Sequence, residues 1–212
     1  MAITTIISDF GGVLTTPLIG SFMAVQDQTG IPMEALGRAM HAAHEAEGVQ
    51  PLFELECGRV TEAAFLDQLA SYLEPELGHR PELHNFKEMY FEALDPNPEL
   101  FDRFRSLHGE GYAMALLTNN VREWEPLWRA MLPIDEIFGV VVDSAFVGHR
   151  KPDPEIYRIT LERLGNPEPA ECVFIDDVEH NCEAARELGI DAIRFRETPQ
   201  VLAELDSLLA AG

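Results

Sequence analysis

The stretch Ile6-Ile7-Ser8-Asp9-Phe10-Gly11-Gly12 constrains this chain more than any other. A β-branched run, Thr4 to Asp9, has the character of a strand, and it stops at an aspartate followed by two glycines. In an open α/β sheet, ligands collect at the carboxyl ends of the strands, which puts the Asp9 carboxylate at the rim of a site. Gly11 and Gly12 let the backbone turn sharply or approach a ligand closely. Taken alone, the pattern also fits an ordinary strand-to-loop turn.

Three later stretches change that reading: Leu116-Leu117-Thr118-Asn119-Asn120, Arg150-Lys151-Pro152-Asp153-Pro154 and Phe174-Ile175-Asp176-Asp177. Each lies at or just beyond an expected strand end. Strands are expected at Tyr112 to Leu117, Gly139 to Asp143, Cys172 to Asp176 and Ala192 to Phe195. Helical patterns fill the intervals: Leu100 to Leu107, Glu123 to Leu132, a helix capped by Asp153 and opened by Pro154, Glu183 to Leu188, and a last one lined by Val201, Leu205 and Leu208. Alternating strands and helices predict an α/β fold, a parallel sheet with helices on both faces. Trp124 and Trp128, four residues apart on one helix, read as core packing.

From about Ser21 to Phe91 the alternation stops and only helical patterns remain. Met33, Leu36 and Met40 share one face. Thr61 is placed to cap a helix carrying Phe65, Leu69 and Tyr72, and Leu83 to Leu94 gives another. Asp95-Pro96-Asn97-Pro98 is a turn-rich return. The expected division is residues 1–16 and 95–212 as the main domain, with 17–94 as an inserted helical cap that covers the site. The same helices could instead complete a single core.

Charge narrows the partners. Lys and Arg total 15 against 37 Asp and Glu, a formal net charge of −22. Such a field repels nucleic acid and anionic membrane, so neither is expected as a partner. It also repels phosphate esters, so an anion site here needs a local cation or metal. Cys57, Cys172 and Cys182 are too few and too scattered for a disulfide framework or a zinc site. No leader-like segment or membrane-length apolar run is present. The chain reads as soluble and cytoplasmic, and nothing in it specifies an oligomeric state.

In order and in residue type, the four motifs resemble those of the haloacid dehalogenase-like hydrolase superfamily. The resemblance covers nearly the whole chain. It is closest in character to sugar-1-phosphate phosphatases and to the N-terminal phosphatase domain of soluble epoxide hydrolases. It implies a Rossmann-like core with a helical cap, Mg2+ as cofactor and a small phosphorylated metabolite as substrate. Asp9 would be the nucleophile that forms an aspartyl-phosphate. Gly12, Thr118 and Asn119 would hold phosphoryl oxygens, and Lys151 would neutralise both Asp9 and the phosphate. Mg2+ would take Asp9, the Gly11 carbonyl, and Asp176 or Asp177. Asn181, four residues past Asp177, would orient that acid from one helix face. Each has a plainer reading: a strand-end hydroxyl for Thr118, a solvated lysine for Lys151, a helix cap for the acid pair.

One position departs from the common pattern of the superfamily. Most of its phosphatases carry a second aspartate two residues after the nucleophile, to protonate the leaving group and activate water. Here that residue is Gly11, as in the sugar-1-phosphate phosphatases. A dehalogenase with Asp9 attacking carbon and a non-catalytic scaffold therefore stand as alternatives. The adjacent acids Asp176 and Asp177 favour a metal, which a dehalogenase does not need.

Overall fold

The computed structural model describes residues 2–210. After β1 (Thr5–Ser8) come five helices with no strand between them: α1 (Ile19–Thr29), α2 (Met33–Glu47), α3 (Pro51–Glu56), α4 (Glu62–Leu77) and α5 (Phe86–Glu92). Then the chain alternates: α6 (Pro98–Gly109), β2 (Ala113–Thr118), α7 (Glu125–Met131), β3 (Val140–Asp143), α8 (Ser144–Val147), α9 (Pro154–Arg163), β4 (Cys172–Asp176), α10 (Glu179–Glu187), β5 (Asp191–Arg194) and α11 (Thr198–Ala210). The five strands form one parallel sheet in the order β3-β2-β1-β4-β5.

The sheet is buried on both faces, and the period of two along each strand decides which residue goes where. Ile6, Met114, Leu116, Val173 and Ile175 pack against α6, α7 and α11, through Leu100, Phe104, Trp128 and Val201. Ile7, Ala115, Leu117 and Phe174 face the other way, toward Ile156 and Tyr157 of α9 and Ala185 of α10. Strand order reverses at β1. The loops after β1 and β4 therefore part, and a crevice opens at their carboxyl ends.

Two further apolar clusters belong to the inserted helices. One joins α2, α3 and α4 through Ala35, Leu36, Leu55, Phe65 and Leu69. The other joins α1 and α5 through Val25, Phe86 and Tyr90. Thr61 caps α4 as expected, accepting from Ala64 N at 3.2 Å, and Asp153 caps α9, accepting from Glu155 N at 3.0 Å. Sequence reasoning did not single out α1, because only Ser21 and Val25 of its eleven residues are buried and the helical stripe is faint. The expected helix at Leu83 to Leu94 is shorter, and the one at Glu183 to Leu188 starts four residues earlier. Trp128 is fully buried in the sheet cluster, as expected. Trp124 is not. It sits in a short 3-10 turn before α7 and packs against three clusters at once, that of the sheet and both of those in the inserted helices.

The chain enters and leaves the helical block at one place. Thr15 and Pro96 form an antiparallel bridge; Thr16 N donates to Asp95 O at 2.8 Å and Asn97 N to Leu14 O at 2.8 Å. Asn97 also donates through its side chain to Val13 O and Thr198 Oγ1 while capping α6. On the far side, Arg150 Nε meets Glu56 Oε2 at 2.5 Å, with the guanidinium 3.8 Å from the Phe53 ring centre. Gly58 fits there because it has no side chain: a Cβ would lie 2.2 Å from Ala145 O, at a φ of +64°. Among the described residues, no helix is long and apolar enough to cross a membrane. The three cysteines are buried and free.

Asp143, at the end of β3, is a buried acid with one satisfied oxygen. Its Oδ1 accepts from Ala145 N at 2.9 Å and Oδ2 has no partner. Burial raises its pKa to about 6, with the Ala145 bond only partly opposing. An unfolded aspartate titrates near 3.9, so between these values the folded state binds more protons. Stability is therefore lost as pH rises through that window. Asp143→Asn should raise stability at neutral pH by up to roughly 3 kcal/mol. The gain should vanish below pH about 4, where both states of the parent chain are protonated. Urea denaturation of the two proteins across this range measures it.

Candidate active site

The first residue past β1 stays in register with β4: Asp9 N donates to Ile175 O at 2.8 Å. This holds the Asp9 carboxylate at the crevice. Its Oδ1 accepts from Phe10 N at 2.7 Å and from Lys151 Nζ at 2.7 Å. Burial raises the Asp9 pKa well above the ordinary value; Lys151 opposes this, while Asp176 and Asp177 add to it.

Lys151 is only 1% exposed, against the surface role that is the default for lysine. Its ammonium reaches Asp9 Oδ1 at 2.7 Å, Asp176 Oδ2 at 2.7 Å and Leu117 O at 2.9 Å. Burial works to lower its pKa, but the two carboxylates outweigh it and hold the group charged. Three acceptors use all three N–H groups. In this arrangement all three are taken by the protein, and the ammonium is set against Asp9, the first of the two anions it was expected to neutralise.

Asn119 holds the lysine from behind. Its Nδ2 donates to Lys151 O at 3.0 Å and its Oδ1 accepts from Lys151 N at 2.8 Å. Of the amide or backbone donor expected of Asn119, one amide hydrogen is therefore spent on the backbone of Lys151. What Asn119 has left for an anion is its main-chain N–H and the second hydrogen on Nδ2. Thr118, 1% exposed, closes β2 beside it.

The two acids after β4 differ sharply. Asp176 is fully buried and accepts from Lys151 Nζ, from Val178 N at 2.8 Å, and from Asn181 Nδ2 on both oxygens, at 3.0 and 3.1 Å. Among the described residues, no donor from another residue bonds the Asp177 carboxylate. Burial, then Asp176, raises its pKa. The expectation that Asn181 orients Asp177 is thus corrected to Asp176. The reason is that α10 begins at Glu179, so Asp177 precedes the helix and shares no face with Asn181.

Gly12 shapes the space beside Asp177. Its φ is +76°, and a Cβ there would lie 2.6 Å from Asp177 Oδ2. Gly11 differs. It has no left-handed backbone, and its Cβ would meet only the Leu18 methyls at 3.2 and 3.3 Å.

Asp9, Asp176 and Asp177 each offer an oxygen, all within 4.8 Å of one another. Three carboxylates against one ammonium leave the site short of positive charge. Hard oxygen donors with that deficit match a small divalent cation such as Mg2+.

Sequence reasoning missed the residues above the crevice. A cavity of about 240 Å3 rises from Gly11, Thr118 and Asn119 into the helical block. Its walls include Trp124, Glu62, Glu56 and Tyr90. Trp124 Nε1 donates to Glu62 Oε1 at 2.7 Å, joining the turn before α7 to α4. Burial raises the pKa of Glu56, partly opposed by Arg150, and also that of Tyr90. The signal available was Trp124 itself, a large aromatic immediately after the Thr118 motif. Four polar residues of the inserted helices and their connections, His41, His44, Glu54 and Arg59, are not on the cavity wall; Glu54 and Arg59 pair with each other at 2.7 Å.

Comparison with known proteins identifies the family. The family model for haloacid dehalogenase-like hydrolases matches residues 3–189. Bifunctional epoxide hydrolase 2 of Sus scrofa is 27% identical over 98% of this chain and 39% of its own length. The chain thus spans about two fifths of that relative. A phosphorylated carbohydrates phosphatase of Thermotoga maritima is 31% identical over 89% of this chain and 82% of its own. Among solved structures, a family enzyme of Bacteroides thetaiotaomicron superposes with a TM-score of 0.70 at 26% identity, over 92% of this chain and 95% of that one. Another structure of that enzyme, holding magnesium and inorganic phosphate, shares the fold at a TM-score of 0.68 and 24% identity, over 95% of this chain and 99% of that one. With the matched segment running from β1 through α10, this chain belongs to the haloacid dehalogenase-like hydrolase family.

Proposed function

We propose that the chain is a Mg2+-dependent phosphatase that hydrolyses a small phosphorylated metabolite through an aspartyl-phosphate on Asp9. The observation that carries this is the buried Asp9 carboxylate, bonded to Lys151 and grouped with Asp176 and Asp177. Similarity to the Thermotoga phosphatase supports the same class of substrate.

Asp9 is the nucleophile. Its free oxygen attacks phosphorus, the P–O bond to the leaving group breaks, and water later cleaves the acyl phosphate. Lys151 opposes the effect of burial on Asp9 and so favours the ionised form, which is the state that attacks. Gly12, Thr118 and the Asn119 main chain line the place where phosphoryl oxygens gather charge. Asp177, Asp9 and the Gly11 carbonyl hold the metal, while Asp176 serves as the partner of Lys151 and Asn181. Mg2+ there supplies positive charge to the transferred group and to the carboxylate cluster. Residues 17–94 act as the cap and close the site from above, with 1–16 and 95–212 as the catalytic domain.

Three measurements test this reading. EDTA should abolish hydrolysis of phosphate monoesters and Mg2+ should restore it, and Asp9→Asn should bring turnover to background. Beryllium fluoride should be trapped on Asp9 in the parent protein. Full activity in excess EDTA, on a carbon–halogen substrate, would instead indicate attack on carbon.

Gly12→Ala places a methyl against Asp177 and an L side chain at positive φ, a strain of about 1–2 kcal/mol. Its Mg2+ affinity, read by calorimetry, should fall at least about tenfold with the fold retained. An unchanged affinity would remove Asp177 from the metal site.

Gly11→Asp is expected to fold, since Leu18 has only to shift slightly. A carboxyl there supplies the missing proton donor, an effect worth on the order of 10²-fold or more. It should speed poor leaving groups most and flatten the dependence of rate on leaving-group pKa. A folded variant with the parent's steep slope would show that the parent already has another acid.

A further inference from the structure

The cavity above the crevice is built almost entirely from hydrocarbon. Its upper walls are Leu36, Leu55, Phe65, Leu69, Phe86 and Trp124, contributed by α2, α3, α4, α5 and the turn before α7. Its lower end is Gly11, Thr118 and Asn119, beside the Asp9 carboxylate. A ligand whose phosphate meets Asp9 must therefore place its other end among these side chains.

The polar groups on the wall are few, and most are partly engaged already. Glu56 is bonded to Arg150 at 2.5 Å. Glu62 accepts from Trp124 Nε1 at 2.7 Å and from Lys87 Nζ at 3.2 Å. Both ends of the Asn119 amide are taken by Lys151, and Asn120 Oδ1 accepts from Val121 N at 2.9 Å. Besides Thr118 at the phosphate end, Tyr90 is the wall hydroxyl with no hydrogen bond among the described residues. A sugar brings several hydroxyls, and each one buried without a partner weakens binding roughly tenfold. The spare acceptor positions of Glu56 and Glu62, the Asn120 amide and Tyr90 are the wall groups left to meet them, on a wall otherwise of hydrocarbon.

Size points the same way. An apolar cavity of about 150 Å3 stays dry and takes benzene. This one, about 240 Å3, is larger. Scaled from six carbons in that smaller cavity, it has room for a hydrocarbon of about eight to ten carbons. The charge of the chain does not interfere, because the tail is neutral and the phosphate goes to the cation-bearing end.

We propose that the leaving group this site selects is an apolar alcohol, so that the substrate is a phosphate monoester of a hydrocarbon chain rather than of a sugar. This rests on the phosphatase reading and names its substrate class. In the reaction the P–O bond to the alcohol breaks as the Asp9 oxygen bonds phosphorus. The alkoxide takes a proton from water, and hydrolysis of the acyl phosphate returns inorganic phosphate.

The test uses two series with Mg2+ present. Straight-chain alkyl phosphates from two to fourteen carbons serve for turnover, and the matching non-hydrolysable alkylphosphonates serve for binding by calorimetry. Each added methylene should improve kcat/KM and affinity about fourfold. The rise should stop near eight to ten carbons, and octyl phosphate should exceed hexose phosphates at least a hundredfold. Leu66→Trp, on the same wall, should move the plateau to shorter chains. Leu69→Ala should move it to longer ones, so failure of either variant to fold leaves the other as a measure. Turnover independent of chain length, with hexose phosphates equal or better, overturns the apolar assignment and leaves the phosphatase reading intact. No turnover of any monoester overturns the phosphatase reading. Phosphonate binding then judges the cavity alone: a steep chain-length dependence supports its apolar preference, and a flat one overturns it.

Discussion

A single buried ammonium organises the reactive end of this protein. Placing Lys151 out of water is costly by itself, and an unpaired buried charge is more costly still. The structure resolves this by surrounding the charge: Asp9 from β1, Asp176 from β4 and the Leu117 carbonyl from β2 all converge on it. Three neighbouring strands are thereby tied at their carboxyl ends to one atom. Asn119 then fixes the backbone that carries the lysine. Remove the ammonium and two buried carboxylates face each other with no counter-charge. The same arrangement fixes which acid is structural and which is free. Asp176 has its oxygens filled by protein donors, while Asp177 keeps its own available.

Much of this was legible in the amino-acid sequence, for identifiable reasons. Strand ends followed by Asp9, Thr118 and Asp176 could be found because an apolar run ending in a polar residue is a local signal, and the parallel sheet needs those runs. The block of helices between β1 and α6 was visible as the loss of strand pattern. What escaped was the pairing of side chains across long separations. The spacing of Asn181 and Asp177 suggested a shared helix face, but spacing carries that meaning only inside a helix, and Asp177 lies before it. Lys151 was recognised as the cation; that all of its N–H groups are consumed by the protein depends on three strands meeting at one point. Trp124 and Trp128 look equivalent at four residues' separation. They diverge because the helix begins between them, which turns Trp124 toward the cap clusters and the cavity.

The two glycines after Asp9 also do different work, although the sequence presents them as a pair. Gly12 answers a backbone demand and a close approach to Asp177. Gly11 answers neither, since its backbone suits any residue and only Leu18 stands near. Its lack of a side chain therefore bears on chemistry and on the width of the cavity floor rather than on folding.

The junction at Thr15 and Pro96 has a consequence for how such a chain can change over generations. The two crossings lie side by side and are hydrogen-bonded to each other, so the ends of the helical block are fixed a bridge's width apart whatever lies between them. Lengthening, shortening or exchanging α1 through α5 leaves the distance from β1 to α6 as it was. The sheet, its register and the lysine-centred acids need not respond. Recognition can drift in one part of the gene while the reacting atoms stay under separate and stricter selection.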